Sequence, residues 1–534
     1  MSRYTQHFST RKTPQSQPIP GTTQVANSAG GYAFPVDDWV RLDRFLILGC
    51  EGGSYYASER ALTVDNAQAV RRCLQTDGVR AVARIVEVSR QGRAPKNDPA
   101  IFALALAASL GDAATRALTL EALPEVCRTG THLFQFAQAV QAQRGWGRGL
   151  RRAIGRWYTA RPPRELAYQC IKYQSRQGWS HRDLLRLSHP KGDSLTQEVL
   201  HWAVQGWPEA GPEPHAEEAL LPLWAFERAK RASSKEEVVR LVREYGLVRE
   251  CVPTRWLTEP TVWEALLERM PLTALLRNLA TLTRVGLLTP LSQAGRHVAA
   301  ELTNRERLRQ ARVHPVAVLA ALLTYSAGRG VRGQHTWSPV AKVADALDAA
   351  FYLSFANVEP TGKRWLLALD VSGSMGSGAV AGVPGLTPRV ASAALALVTA
   401  AVEPQHSFVA FTSSGWHCQA AGRGQWAGMG YANGITPFSV LPQQRLDDVC
   451  RQTAALPMGG TDCALPMLYA LEQRLAVDVF VVLTDSETWA GNVHPCQALT
   501  RYRQKMGQPA KLVVCGLVSN GFSIANPDDA GMLD

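Results

Sequence analysis

Residues 365–376 read Trp365-Leu-Leu-Ala-Leu-Asp370-Val-Ser372-Gly-Ser374-Met-Gly376, an apolar run that ends in a carboxylate followed at alternate positions by two hydroxyls. A short apolar run bounded by a Gly/Ser turn is that of a strand buried on both faces. Three more such runs follow at 407–412, 477–484 and 512–518, with amphipathic stretches at 389–402, 443–455, 464–475 and 495–506 between them. Strands alternating with helices predict a doubly wound, mostly parallel α/β sheet.

In that fold ligands sit outside the carboxyl ends of the strands. Besides the 370–374 turn, Gly459-Gly460-Thr461-Asp462 supplies a hydroxyl, and the 477–484 run ends in Thr484-Asp485. Asp370, Ser372, Ser374, Thr461 and Asp485, on three loops, can thus converge. Hard oxygen donors of this kind suit a divalent cation of the Mg²⁺ type. The set resembles the metal-ion-dependent adhesion site of von Willebrand factor A domains. The resemblance implies that the two serines and the threonine bind metal directly, the aspartates mostly through water, and a ligand oxygen completes the shell. Ordinary turn and helix-capping hydroxyls are the weaker reading, because they demand neither this order nor this separation.

A strand-terminal Asp also serves as nucleophile in dehalogenase-type phosphatases, which need a second carboxylate two residues on; here that position is Ser372. The sequence has no G-x-x-x-x-G-K-[ST], no H-E-x-x-H and no G-x-S-x-G after a strand. Gly145-Trp-Gly147-Arg-Gly149 lies among helical patterns and reads as a bend. No catalytic constellation is read, and a protein that is not an enzyme is expected.

Upstream, from about 62 to 328, apolar residues recur at three and four, as at 101–110, 118–127, 132–143 and 150–157. Further segments of this kind stand at 217–231, 235–245, 261–269, 272–283, 290–302 and 315–325. The spacing fits irregular HEAT-like helix pairs without a strong self-similar repeat, and such arrays curve into concave surfaces or rings. Residues 1–24, polar with three prolines, read as a flexible arm. The expected organisation is this arm, a helical-repeat domain over 25–355 and the α/β domain over 356–534; a chain of 534 residues exceeds a single core.

The formal charge of +12 is unevenly spread. Residues 356–534 hold 11 basic and 13 acidic side chains, against 46 and 32 before them. Such asymmetry suggests a polyanion held by the helical domain. The preference for Arg, 47 against 10 Lys, is also what codon bias in a GC-rich genome produces. The ten cysteines include no C-x-x-C and read as buried thiols. No apolar run approaches a membrane span and the N-terminus lacks an apolar signal core, so a soluble cytoplasmic protein without a membrane is expected.

Arg148, Arg151, Arg152 and Arg156 fall at helical spacing, interleaved with Trp146, Trp157 and Tyr158; Lys172 and Arg176 follow at i and i+4. Ser180 and Asp183 have capping-box spacing, predicting a short helix that begins at Ser180, carries Arg182 and Arg186, and is closed by Pro190 beside His189 and Lys191. Cations and aromatic planes together suit phosphates and unpaired bases. They equally suit a solvated helix face over core Trp and Leu, and for His189 a capping or packed imidazole serves as well as RNA contact.

A basic helical-repeat domain followed by an A-type metal-site domain resembles the Ro autoantigen family, its bacterial Rsr-type members above all. GGYAFPVDDWVRLDRFLILGCEGGSYY, IKYQSRQGWSHRDLLRLSH, LALDVSGSM, GGTDCALPM, VHPCQALTRYRQKM and VVCGLVSNGFSIANPDDAGMLD carry the resemblance across nearly the whole chain. It implies a non-enzymatic protein whose TROVE-type repeats form a ring closed by the A domain. The implied outer surface binds small noncoding Y RNAs, and the hole admits single-stranded 3′ ends of misfolded or precursor RNA, ribosomal RNA included. The family's Y RNA contacts fall on Lys172, Arg176 and His189; Arg148, Arg151, Arg152, Arg182, Arg186 and Lys191 are added on spacing. Kinship also implies a 3′-to-5′ exoribonuclease partner, polynucleotide phosphorylase, and RNA quality control as the role. A metal-dependent scaffold that captures a partner protein's carboxylate is the alternative from another class. A closed ring needs no partner subunit, so a monomer is expected. The chain departs from vertebrate members in its few lysines and in a Pro/Gly/Glu-rich insertion at 207–216.

Overall fold

The computed structural model describes residues 12–49, 59–94, 96–207, 217–330, 335–380, 383–413, 434–456, 459–518 and 521–534. Most of the 207–216 insertion and the CEGGSYY part of the first family stretch lie outside these residues.

The α/β domain is a six-stranded sheet in the order β11-β9-β8-β5-β6-β7. Its strands are β5 (Trp365–Asp370), β6 (His406–Phe411), β7 (Ile435–Phe438), β8 (Val479–Thr484), β9 (Lys511–Gly516) and β11 (Met532–Leu533). All neighbours run parallel except β6 and β7. Alternation along β5 decides the layering, because successive side chains leave a strand on opposite faces. Leu366 and Ala368 join the core under the helices Leu465–Glu472 and Pro495–Met506. Leu367 and Leu369 join the core under Pro388–Val402, which is continuous with that of the helical domain. Both faces are apolar, which is why the strands read as unbroken apolar runs.

The helical domain runs from the helix Asp38–Leu48 to the helix Ala341–Leu353, with Glu59–Gln91 kinked at Asp77, and among the described residues each helix packs on a neighbour in an unbroken path. Both ends of that path land on the α/β domain. At one end β1 (Val25–Ala26) and β2 (Tyr32–Pro35) form a small antiparallel sheet with β10 (Phe522–Ser523) near the C-terminus, reinforced by the Arg44–Asp534 ion pair. At the other, Arg445 pairs with Asp348 at 2.6 Å and the Tyr352 hydroxyl accepts from the Leu446 N–H at 2.8 Å. The contacts therefore close on themselves through the α/β domain.

Two local findings differ from the sequence expectation. Lys172 and Arg176 do not share a helix: the helix Pro163–Lys172 ends at the lysine, and a hairpin of β3 (Ser175–Arg176) and β4 (Trp179–Ser180) follows. Its Gln177-Gly178 turn has φ of 52° and 81°, the pair of left-handed conformations that a two-residue hairpin turn requires. Residues 13–24, expected within a flexible arm, lie against the α/β domain, with Gln15 wholly buried. The attachment is made by side-chain amides over a large sequence separation, a signal that local composition does not carry.

Candidate nucleic-acid interface and metal centre

The capping box at Ser180 forms as the spacing requires. Asp183 Oδ2 accepts from the Ser180 backbone N–H at 2.9 Å, and Ser180 Oγ accepts from the Asp183 N–H. The helix His181–Ser188 starts there, presents Arg182 and Arg186 to solvent, and ends at His189. His189 is the C-cap in the left-handed conformation, φ 46° and ψ 53°, and is exposed.

This helix packs against Arg148–Thr159, whose Arg148, Arg151 and Arg152 are exposed. Arg176 is exposed on the intervening hairpin, and Lys191 just beyond the helix. Lys172 is half-buried, its ammonium held by the Tyr168 hydroxyl at 3.1 Å and lying 5.1 and 5.3 Å from the Tyr168 and Tyr173 rings. Among the described residues none of Arg148, Arg151, Arg152, Lys172, Arg176, Arg182, Arg186 or Lys191 has a carboxylate within ion-pair reach, whereas Arg72, Arg84, Arg228, Arg231 and Arg243 all do. An exposed cation without a counter-charge stays available to an external anion.

The aromatic residues divide differently. Trp157 and Tyr158 are fully buried, with the Trp157 indole bonded to the Cys127 carbonyl, and belong to the core. Trp146 and Trp179 lie partly exposed, their centroids 5.4 Å apart. His181 is also core: its Nδ1 meets the Tyr158 hydroxyl at 2.8 Å, and burial pushes the imidazole down to about 4.

The five expected oxygen-bearing residues stand on three loops beyond β5 and β8. Asp370, Ser372, Thr461 and Asp485 are buried and Ser374 half-buried. Asp370 Oδ1 accepts from the Ser372 N–H at 2.8 Å, and Oδ2 from Thr484 Oγ1 at 2.6 Å. Ser372 Oγ lies 3.2 Å from Ser374 Oγ. The Thr461 carbonyl accepts from the Trp489 and Ala490 N–H groups at 3.0 and 3.1 Å, which ties its loop to the one that begins at Asp485. Burial first, and the facing Asp485 carboxylate second, push Asp370 up to about 7.

A buried carboxylate whose charge is disfavoured by burial and by a neighbouring acid, set among hydroxyls, is an environment that a hard divalent cation relieves. The residues present therefore fit such an ion. The donors are hydroxyl-rich: among the described residues no group of three or more His, Cys, Asp or Glu is arranged for a metal.

The sequence pattern names Thr484 and Asp462 beside the site but does not give their roles: Thr484 anchors Asp370, and Gln15 clamps Asp462. Thr484 was open to view in the run Thr484-Asp485-Ser486-Glu487-Thr488, which alternates hydroxyl and acid after a strand. For Gln15 no local signal exists.

Comparison with known proteins fits this geometry. Residues 25–363 match the TROVE domain family and residues 364–534 the Ro60 vWA domain family. The chain is 43% identical over 514 residues to the "RNA-binding protein RO60" of Deinococcus radiodurans, covering 96% of this chain and 92% of that protein. It is 36% identical over 586 residues to the Caenorhabditis elegans protein of the same name, covering 96% and 87%. The crystal structure of the Deinococcus radiodurans RO (RSR) protein superposes with a TM-score of 0.74 at 42% identity, covering 93% of this chain and 96% of that one. The chain belongs to the Ro60 family, a TROVE domain joined to a Ro60-type vWA domain.

Proposed function

We propose that this chain is a non-catalytic RNA-binding protein of the Ro type. It holds a small noncoding Y RNA on the TROVE domain, at half-buried Lys172 and exposed Arg176 and His189, with the exposed Arg148, Arg151, Arg152, Arg182, Arg186 and Lys191 adding phosphate contacts. Single-stranded 3′ ends of misfolded or precursor RNA, ribosomal RNA included, enter the ring that the two domains close. The role is RNA quality control and processing in the cytoplasm, as a monomer, alongside a 3′-to-5′ exoribonuclease such as polynucleotide phosphorylase. The observation that carries the reading is the row of exposed cations without carboxylate partners on adjoining elements. No helix among the described residues is long and apolar enough to cross a membrane.

Phosphate contacts fix position and supply a salt-dependent affinity with little sequence preference. Lys172→Ala with Arg176→Ala is expected to weaken binding of a stem-loop RNA by about tenfold or more, each charge-assisted contact contributing about 1 kcal/mol. Unchanged affinity at physiological salt contradicts the assignment of these two residues.

The hydroxyl-rich buried set supports a second capability on the vWA domain. Asp370, Ser372, Ser374, Thr461 and Asp485 would hold Mg²⁺, which when bound supplies a hard positive centre with an open position for an oxygen ligand, such as a partner protein's carboxylate. Partner capture that requires Mg²⁺ and fails in Asp370→Ala is expected. Capture indifferent to both removes this capability and leaves RNA binding untouched.

A further inference from the structure

The segment that precedes the helical domain lies against the metal-site loops, and the proposed function leaves it without a role. Gln15 is fully buried. Its side-chain nitrogen donates to Asp462 Oδ1 at 2.7 Å and to the Val493 carbonyl at 2.8 Å, while its side-chain oxygen accepts from Thr488 Oγ1. Its backbone N–H donates to the Gly491 carbonyl, and its carbonyl accepts from the Tyr32 N–H, both at 2.8 Å. Farther along, Asn27 Nδ2 donates to the Thr488 carbonyl at 2.7 Å, and the Ala29 N–H to Glu487 Oε2 at 3.1 Å.

The fit is close enough to exclude a side chain on either surface. A Cβ on Gly31 would stand 2.0 Å from the Thr488 carbonyl oxygen; one on Gly491 would stand 2.3 Å from Gln15 Nε2 and 2.4 Å from Asp462 Oδ1. The partners of Gln15 are also not scattered. Asp462 directly follows Thr461, and Thr488, Gly491 and Val493 belong to the loop that begins at Asp485. One side chain therefore spans two of the three loops that supply the metal-type donors. A buried amide with every polar atom engaged holds such loops in one arrangement, because releasing it leaves several buried groups unsatisfied.

We infer that residues 13–31 form a strap that is a structural part of the metal centre, with Gln15 as its positioning residue, so that cation binding and strap docking favour each other. The inference rests on the metal reading above. Reciprocity follows from linkage: whatever affinity the docked strap adds for the cation, the cation returns as stability of the docked strap. The strap runs directly into β2, so the cation is coupled to one of the two seams at which the helical path meets the α/β domain.

The test is calorimetric titration of the full chain with MgCl₂, together with hydrogen exchange across residues 13–35 with and without Mg²⁺. Four proteins are compared: wild type, Gln15→Ala, Asp370→Ala, and Arg44→Ala, which weakens the same seam away from the metal loops. Gln15→Ala is expected to lower Mg²⁺ affinity by about tenfold, the scale of a lost buried hydrogen-bond set and of typical inter-site coupling. Arg44→Ala should leave that affinity within about twofold, and Mg²⁺ should slow exchange in the strap of wild type but not of Asp370→Ala. If Gln15→Ala does not fold, the exchange experiment on wild type decides alone. Wild-type binding of Mg²⁺ with no protection of the strap, or with Gln15→Ala binding equally well, overturns the inference and leaves the metal reading standing. Wild type that binds Mg²⁺ no better than Asp370→Ala overturns the metal reading and the inference with it.

Discussion

Thr484 Oγ1 donates to Asp370 Oδ2 at 2.6 Å, so the hydroxyl that ends β8 fixes the carboxylate that ends β5. The two strands are adjacent and parallel, which places their last residues side by side at the sheet's carboxyl edge. Thr484→Val keeps the shape and removes the donor to a buried acid. The expected cost is about 1–3 kcal/mol of stability, read by denaturant unfolding of the vWA domain. A change under about 0.5 kcal/mol contradicts the anchoring role.

Asp370→Asn separates charge from shape at the same place. Burial and Asp485 raise Asp370 to about 7, so removing its charge relieves a repulsion. Without divalent cation the variant should match or exceed the wild type in thermal stability. With millimolar Mg²⁺ the wild type should gain stability by mass action and the variant should not. An equal gain in both proteins contradicts the assignment of the cation to Asp370.

Gly178→Ala probes the hairpin without touching a charge. The added methyl meets nothing within 4 Å, so the effect comes only from the positive φ of 81°. About 1 kcal/mol of strain displaces the turn that sets Arg176, and RNA affinity should fall by up to about fivefold. Unchanged RNA affinity together with a measured loss of stability shows that Arg176 needs no fixed turn.

Much of this arrangement is legible in the sequence, for reasons that particular residues make clear. Strands buried on both faces have to be continuous apolar runs, so 365–371 and 477–484 declare themselves, as does the capping box at Ser180 and Asp183. Hydroxyls and acids just after such strands point to a site. Side-chain direction is less legible. Trp157 and Tyr158 share a helix with exposed arginines, and only tertiary packing shows them turned into the core. The bend at Gln177-Gly178 overrides the helical spacing of Lys172 and Arg176. Gln15 is least legible of all, because its partners lie at positions 462, 488 and 493.

His181 gives the helical domain a pH dependence. Its neutral imidazole is buried between Phe134, Trp157 and Tyr158, with the folded value near about 4 against 6.5 when exposed. The unfolded chain therefore binds the extra proton first, and stability is lost as pH falls from 6.5 toward 4. Between pH 7 and 5 this one group should remove about 2 kcal/mol. Unfolding free energies of wild type and His181→Gln across that range should differ in slope by this amount, and parallel curves contradict it.

The central claim is that unpaired cations on the TROVE domain hold RNA through its phosphates. Its most direct test is a salt titration of binding to a stem-loop RNA with a single-stranded 3′ tail, for wild type and for Lys172→Ala with Arg176→Ala. Log K for the wild type should fall steeply with log salt, and the double variant should bind more weakly with a slope reduced by about 2, one for each lost phosphate contact. Equal slopes and equal affinities for the two proteins would contradict the account.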